Sequence, residues 1–476
     1  MITPDNPEDR SIIHHVTQAG QEHVFRYWDE LSGASRRRLL NQLKDIDFDL
    51  MRKLWKAHSS SSEGAAVEGI LEPVEVIPVP RTTEQQNAAE EARRIGQQAL
   101  RDGRVAAFVV AGGQGTRLGF DGPKGCFPVG PVTGKSLFEM HAEKIRAASL
   151  EYGVPIPWYI MTSETNDEAT REFFAHRNFF GIDESDVFLL KQKMIPALDE
   201  QGRLILDEKD HVFMNPNGHG GSLMALEESG ALDDMTRRGI TVVSYFQVDN
   251  VLIKIIDPVF LGYHIQAQAE MCSKVVQKRD PGEKVGVFGK VNGKMKVIEY
   301  SDMREEDKKA KNPDGSLKYG AGNVAIHLID VAFVDREVRG GFKLPYHTAH
   351  KKIPFVDENG TRIHPDVPNG FKFETFVFDA LNDTTRTMVM EVVREEEFSP
   401  VKNRTGEDSE STAKRDLSNY FGRWLEAAGV AVPRLETGDV DGTVEISPLF
   451  AADRETFLRK ASCDIAFEKA FYLGPE

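Results

Sequence analysis

The residues best suited to chemistry lie between Phe108 and Gly125, in FVVAGGQGTRLGFDGPKG, where four glycines fall within eight positions around Arg117 and Lys124 follows shortly after. Glycine lets a backbone approach a phosphate and aim successive N–H groups at its oxygens, while Arg117 and Lys124 add fixed positive charge. The expected chemistry is phosphate binding, with Gly112, Gly113, Gly115 and Thr116 as the cradle. No Gly-Lys-Ser/Thr follows at Walker A spacing, and an arginine inside the loop is foreign to the dinucleotide fingerprint. A second candidate is Asp249, which follows the apolar run Ile240 to Val248. A carboxylate at the carboxyl end of a strand, facing phosphate-bearing loops, is a natural Mg²⁺ ligand, because magnesium takes one or two protein carboxylates and completes its shell with water and phosphate oxygens. The competing reading makes Asp249 a turn cap beside Asn250 and Asp257.

Such groups need a scaffold, and the pattern around them supplies one. Val105 to Val110 is apolar without alternation, as suits a strand buried on both faces of a parallel sheet. Before it, Thr83 and Gln86 fit a capping box opening a helix that stops near Gly103; after it, Ser136 and Glu139 open another. Strand-like IPWYIM (156 to 161), a polar helix over Glu164 to His176 and strand-like DVFLL (186 to 190) continue the alternation, which signals an α/β sheet with ligands at the carboxyl ends of its strands. Residues 20 to 58 read as a helical pair broken at Ser32-Gly33-Ala34. Ser59 to Gly64 reads as a flexible tip and Glu72 to Arg81 as an extended connector. Near the other end, TMVMEVVRE reads as a strand, 404 to 415 as a mobile loop and Leu417 to Ala428 as a helix.

At 476 residues the chain is too long for one ordinary core. Its 59 basic and 75 acidic residues leave a net charge of −16, which opposes binding to nucleic acid. No apolar run is long enough for a membrane span, and the polar, acidic start does not read as a secretory signal. Cys126, Cys272 and Cys463 are widely separated, so neither a disulfide framework nor a structural zinc site is expected, and the cytoplasm is the expected compartment.

AGGQGTRLG with the later PKG resembles the signature of the UTP-using sugar-1-phosphate nucleotidyltransferases. Further motifs narrow the resemblance to the UDP-N-acetylhexosamine pyrophosphorylases: Gln192 to Ala197, Asn217 to Gly221, Val248 to Asn250, Val297 to Tyr300, Ala321 to Asn323, Leu344 to His347, Lys351 to Pro354, Asn369 to Glu374 and Phe398 to Asn403. They keep the family's order from about residue 80 to 450. At 218 to 220 the chain carries Gly-His-Gly where acetylhexosamine members typically carry Gly-Asn-Gly, and this form is similar to the broader UDP-glucose and UDP-sugar enzymes.

The resemblance implies an α/β fold with a central Rossmann-like nucleotidyltransferase domain on a mixed, mostly parallel sheet (83–394), preceded by an N-terminal helical segment (1–82) and followed by a small C-terminal domain (395–476). It implies that UTP and N-acetylglucosamine 1-phosphate, or another hexose 1-phosphate, react with Mg²⁺ to give UDP-N-acetylglucosamine and pyrophosphate. Arg117, Lys124 and Lys402 then carry the catalytic charge, and Asp249 holds the metal. Gln192, His219 and Gly220 fall to the uracil, Glu299 and Asn323 to the sugar, and Asn250 is a further substrate contact. Phe376 and Phe378 are candidates for an acetyl pocket. A UDP-glucose or UDP-galactose pyrophosphorylase and a non-catalytic nucleotide-sugar binder remain the alternatives. The sequence leaves the oligomeric state open.

Overall fold

The apolar run Val105–Val110 lies parallel between two other buried strands, Val242–Gln247 and Trp158–Thr162, and the second of these is parallel in turn to Val187–Lys191. We describe a computed structural model over residues 7–60, 69–341, 343–461 and 465–475. These strands belong to a ten-stranded mixed sheet that runs Leu71–Pro73, Val287–Val291, Ala321–Asp330, Val242–Gln247, Val105–Val110, Trp158–Thr162, Val187–Lys191. Three further strands join its antiparallel side: Lys294–Ile298 pairs with Val287–Val291, and Met271–Gln277 lies between Ala321–Asp330 and Thr387–Glu391. Val105–Val110, Trp158–Thr162 and Val242–Gln247 are buried along almost their whole length, as expected of strands covered on both faces, while Val187–Lys191 at the end of the row is only partly buried.

The covering helices begin where their caps dictate. Ser136 accepts from Glu139 N–H and the Glu139 side chain answers on Ser136 N–H, so the expected capping box opens the helix Leu137–Tyr152. The box before the first strand sits one residue earlier than expected, on Thr82 and Gln85, and opens Thr83–Arg101. Two adjacent threonines and two adjacent glutamines make both registers legible in the sequence, and the local geometry selects between them.

The chain divides into two compact units, and neither is a continuous segment. The smaller contains Met1–Ala65, Lys193–Gly221 and Leu344–Val377; the larger contains Ala66–Gln192, Ser222–Lys343 and Phe378–Glu476. This departs from a serial division at residues 82 and 394. The larger unit keeps residues beyond 395 because Leu417, Phe421 and Trp424 share one core with Val105, Ile160 and Phe246. The smaller unit draws in central segments because Leu198, Val212 and Phe373 share a core with Val24, Trp28, Leu39 and Leu43. Hydrophobic burial follows proximity rather than chain order.

Within the smaller unit the helical pair expected over residues 20 to 58 has a different form. A helix already spans Pro7–Gln18, Val24 and Phe25 fall in a short 3₁₀ turn at Glu22–Phe25, and a second turn covers Trp28–Glu30. Helices Gly33–Lys44 and Phe48–Ser60 follow, the first capped by Ser32. Residues 61 to 64 of the serine-rich tip lie outside the described residues, as does Cys463. Among the described residues no helix is long and apolar enough to cross a membrane.

A buried ion cluster ties the larger unit together. Lys274, fully buried, donates to Asp257 Oδ2 and Glu397 Oε2, each at 2.6 Å. Burial opposes ionisation of Asp257, but Lys274 and Lys254 outweigh it and hold its carboxyl down at about 2. A carboxyl so depressed adds stability above its unfolded range near pH 4 and loses it as pH falls toward 2. Lys274→Met will therefore cost about 3–5 kcal/mol in urea unfolding at neutral pH, because it strands two buried carboxylates. The deficit will shrink as pH falls, as the Asp257 carboxyl, no longer held down by Lys274, protonates in the variant.

Candidate active site

The glycine loop leaves the Val105–Val110 strand and folds back on itself through Gly115 N–H to Gly122 O at 2.9 Å and Lys124 N–H to Gly113 O at 3.0 Å. A 3₁₀ turn over Thr116–Leu118 ends on Gly119, whose φ of 73° is the left-handed conformation that glycine adopts at little cost. The loop is braced by residues after the next strand. Asn166 Nδ2 donates to Ala111 O and Gly113 O, and Ser163 Oγ donates to Gly112 O at 2.8 Å. These contacts occupy carbonyl oxygens, while the N–H groups of Gly112, Gly113 and Gln114 meet no acceptor among the described residues. A loop with its carbonyls tied back and its amides free can cradle an anion. Thr116 and Arg117 are exposed on its rim.

Lys124, at the end of this loop, donates to Asp249 Oδ2 at 2.7 Å. The two residues are 125 positions apart and meet because the strands that precede them are parallel neighbours. Asp249 is 7% exposed. Burial opposes its ionisation, but the charges of Lys124 and Lys402 prevail and hold its carboxyl below the ordinary carboxylate range. It does not cap a turn; Asp257 does that, accepting from the N–H groups of Val259 and Phe260.

A helix face fixes the segment that carries Asp249. His141 Nε2–H donates to Val248 O at 2.9 Å, and Lys144, three residues on, donates to Val251 O and Ile253 O at 2.5 and 3.0 Å. Nε2–H can donate in either protonation state, and it is burial that keeps the imidazole neutral, pushing its pKa down to about 3. On the other side, Val401 N–H donates to Asp249 O at 3.0 Å. Asn250, expected to contact substrate, is instead a structural tie: 3% exposed, it donates to Glu397 O at 2.7 Å and accepts from Ser399 N–H at 3.0 Å. Both ends of its amide are engaged by backbone, so the role the structure gives it is to hold the Glu397–Ser399 segment beside Asp249.

The tie places Lys402 near the carboxylate, for Lys402 follows Pro400, the bridge partner of Asn250. Its ammonium lies 5.9 Å from the Phe398 ring centroid and near enough to both Asp249 and Asp408 to act on their carboxyls. Burial, assisted by the charge of Asp249 and opposed by Lys402, raises the Asp408 carboxyl. The 404 to 415 stretch, expected to be a mobile loop, is ordered by its own bonds: Lys402 and Asn403 N–H both donate to Asp408 O, and Ser409 caps a helix that already starts at Glu410 and ends at Ala427. Its charged, hydroxyl-rich composition hides a capping box formed by Ser409 and Thr412.

The remaining site residues fall into three places. Gln192 lies against the cradle, where a β-carbon at Gly112 would stand 2.5 Å from Gln192 Nε2, so a side chain there would displace the amide. Glu299 and Asn323 meet around Gly286: a β-carbon on that glycine would stand 3.2 Å from Glu299 Oε1, and Asn323 N–H donates to Gly286 O at 2.8 Å. Asn323 Oδ1 accepts from Ala325 N–H, which leaves its NH₂ group to donate elsewhere. His219 and Gly220 belong to the smaller unit. There Gly220 N–H donates to Thr375 O, His219 Nδ1 accepts from Val377 N–H at 3.2 Å, and the His219 and His347 rings stack on Phe376. Burial and His347 lower the His219 pKa to about 4. Phe376 and Phe378 do not share a strand face: the strand ends at Thr375, and the two residues are assigned to different units.

A cavity of about 770 Å³ also opens in the larger unit, lined by Lys144, Lys254, Asp257, Tyr420 and Trp424, but none of the expected site residues lines it. Among the described residues no cluster of three or more His, Cys, Asp and Glu is placed to hold a metal ion. The sequence reading missed His141, Lys144, Ser163 and Asn166. A short polar run directly after a buried strand was the available signal for Ser163 and Asn166, and nothing local marked the other two.

Comparison with known proteins identifies the family. The sequence profile of the UTP–glucose-1-phosphate uridylyltransferase family matches residues 58–407. A Xenopus tropicalis protein named UDP-N-acetylhexosamine pyrophosphorylase-like protein 1 is 37% identical over 473 residues, covering 93% of this chain and 92% of that one. The Saccharomyces cerevisiae UDP-N-acetylglucosamine pyrophosphorylase is 37% identical over 441 residues, covering 87% and 91%. The crystal structure of the Trypanosoma brucei uridine diphosphate N-acetylglucosamine pyrophosphorylase, in complex with inhibitor, superposes with a TM-score of 0.79 at 28% identity, covering 96% and 95%. The match extends through the cradle, the Asp249 strand and Lys402, and the chain belongs to the UTP–glucose-1-phosphate uridylyltransferase family.

Proposed function

We propose that the protein is a UTP:N-acetylhexosamine-1-phosphate uridylyltransferase that forms UDP-N-acetylglucosamine and pyrophosphate. The observation that carries this reading is the Lys124–Asp249 pair at the carboxyl ends of two parallel strands, beside a loop of free backbone amides. An oxygen of the sugar 1-phosphate attacks the α-phosphorus of UTP. A new P–O bond forms, the bond from that phosphorus to the oxygen bridging to the β-phosphate breaks, and the electron pair leaves with pyrophosphate. The nucleophile is already an anion, so the protein needs no strong base, and catalysis rests on positioning and charge neutralisation.

In this scheme Lys124 and Lys402 neutralise the α-phosphate region, and Arg117 the departing pyrophosphate. Gln192 presents an amide to the uracil, while Glu299 and Asn323 supply an acceptor and a donor to the sugar and its acetamido group. Asp249 suits Mg²⁺: it is one carboxylate at a phosphate-facing strand end, with no three-residue cage among the described residues, and magnesium relies on few protein carboxylates. When bound there the ion neutralises phosphate charge. The relatives named for N-acetylated sugars match nearly the whole chain, which favours an acetylated substrate. Two free thiols, Cys126 and Cys272, accord with the reducing cytoplasm as its compartment.

Pyrophosphate release with UTP, Mg²⁺ and a panel of sugar 1-phosphates tests the assignment. N-acetylglucosamine 1-phosphate is expected to exceed glucose 1-phosphate by at least about tenfold in kcat/KM, since a site built to bond an amide leaves polar groups unpaired with the analogue that lacks it. Faster turnover of the non-acetylated sugars would make the protein a UDP-glucose or UDP-galactose pyrophosphorylase. UTP binding without turnover of any sugar would make it a nucleotide-sugar binder.

A further inference from the structure

The ordered loop after Lys402 carries a cation that the scheme above does not use. Arg404 crosses to the glycine cradle: a β-carbon at Gly119 would stand 3.3 Å from Arg404 Nε and 3.5 Å from its Cζ. The contact joins residues 285 positions apart, so neighbourhood in the sequence does not explain it. Arg404 makes no hydrogen bond or ion pair among the described residues, and neither does Arg117, two positions before Gly119. In a chain with 75 acidic residues, a carboxylate partner for an exposed guanidinium is usually near, and Glu407 and Asp408 stand in the same loop. Neither carboxylate pairs with Arg404, and the backbone carbonyls of both residues hold the loop: Asp408 O receives the N–H groups of Lys402 and Asn403, and Glu407 O receives Asn403 Nδ2 at 2.9 Å.

The stem of Arg404 is also held. Ser409 Oγ donates to Gly406 O at 2.6 Å and accepts from Thr412 N–H, so the loop is fastened to the first turn of the helix Glu410–Ala427. At its other end Val401 N–H is bonded to Asp249 O. Two arginines thus belong to the same glycine turn, Arg117 within its 3₁₀ segment and Arg404 reaching Gly119 from a braced loop. A guanidinium presents five donors in a plane and binds phosphate bidentately, and two of them match an anion with two adjacent phosphates better than a single phosphate.

We propose that Arg404 is a second phosphate-binding residue, which together with Arg117 holds the β- and γ-phosphates of the nucleoside triphosphate and the pyrophosphate they become. This rests on the uridylyltransferase reading. The test is calorimetric titration of the full-length protein with UTP, UMP and inorganic pyrophosphate, in the wild type, Arg404→Gln and Arg404→Lys. Arg404→Gln is expected to weaken UTP and pyrophosphate by about 10- to 100-fold, the range for a charged hydrogen-bonding group, and to leave UMP within about twofold. Arg404→Lys will restore only part of the loss, because a point charge replaces a fork. In turnover, KM for UTP and, in the reverse direction, KM for pyrophosphate will rise while KM for the sugar phosphate stays level. An unchanged UTP affinity in Arg404→Gln, or an equal loss for UMP and UTP, overturns the assignment. A wild-type protein that binds neither UTP nor pyrophosphate overturns the uridylyltransferase reading itself.

Discussion

Lys124→Ala is expected to lower kcat by about a thousandfold, the loss seen when a preorganised charge or donor is removed from a developing anion. The substitution leaves the scaffold in place, because the loop is closed by the backbone of Lys124 through its N–H to Gly113 O. It also removes the largest charge that offsets the burial of Asp249, 7% exposed, so the Asp249 carboxyl will rise. Pyrophosphate release measures the first effect, and circular dichroism with thermal unfolding shows whether the fold persists. Near-normal turnover in a folded variant would remove Lys124 from the reaction and leave it a structural partner of Asp249.

The second large effect is expected at Asp249. Asp249→Asn keeps the shape and removes the charge, so it separates metal binding from packing. Loss of a mere hydrogen-bonding neighbour of a metal ligand costs about 10- to 100-fold in metal affinity, so losing the carboxylate itself will raise half-saturating Mg²⁺ by at least about tenfold. The carboxyl in the parent protein sits below the ordinary carboxylate range, and a titration at neutral pH therefore reads ligand charge rather than competition with protons. An unchanged Mg²⁺ curve would return Asp249 to the single role of holding Lys124. Since the two side chains are 2.7 Å apart, the double variant is expected to cost about as much as the worse single one. Full additivity would mean that Lys124 and Asp249 act independently.

Both predictions depend on a feature that pattern reading found only in halves. The glycine loop and the apolar strand ending at Asp249 were each legible, because a glycine run and an unbroken apolar run are local signals with local causes. Their pairing through Lys124 was not, since it follows from strand order in the sheet. Asn250 shows the opposite failure. In sequence it looks like a polar neighbour of an expected metal-ligand aspartate, while in three dimensions both ends of its amide are engaged by the backbone at Glu397 and Ser399. The 404 to 415 stretch misleads in the same way, because its charge and hydroxyl content suits a mobile loop and equally suits a capped helix start.

His141 and Lys144 mark the limit most clearly. Their spacing of three on an amphipathic helix is ordinary, and their value comes from the three backbone carbonyls they meet on the far side of 107 to 109 residues of chain. By itself, the sequence determined the ingredients, a glycine loop with two cations and a strand-end carboxylate, and the parallel α/β alternation that presents them. Burial pattern, glycine placement and caps are written residue by residue. Only the tertiary structure decided which cation meets which carboxylate, that Asn250 is a tie, that Arg404 reaches Gly119, and that two discontinuous units rather than serial domains make up the chain. Those outcomes depend on long-range packing, in which a side chain's partner is set by where the core brings it and not by what stands beside it in the chain.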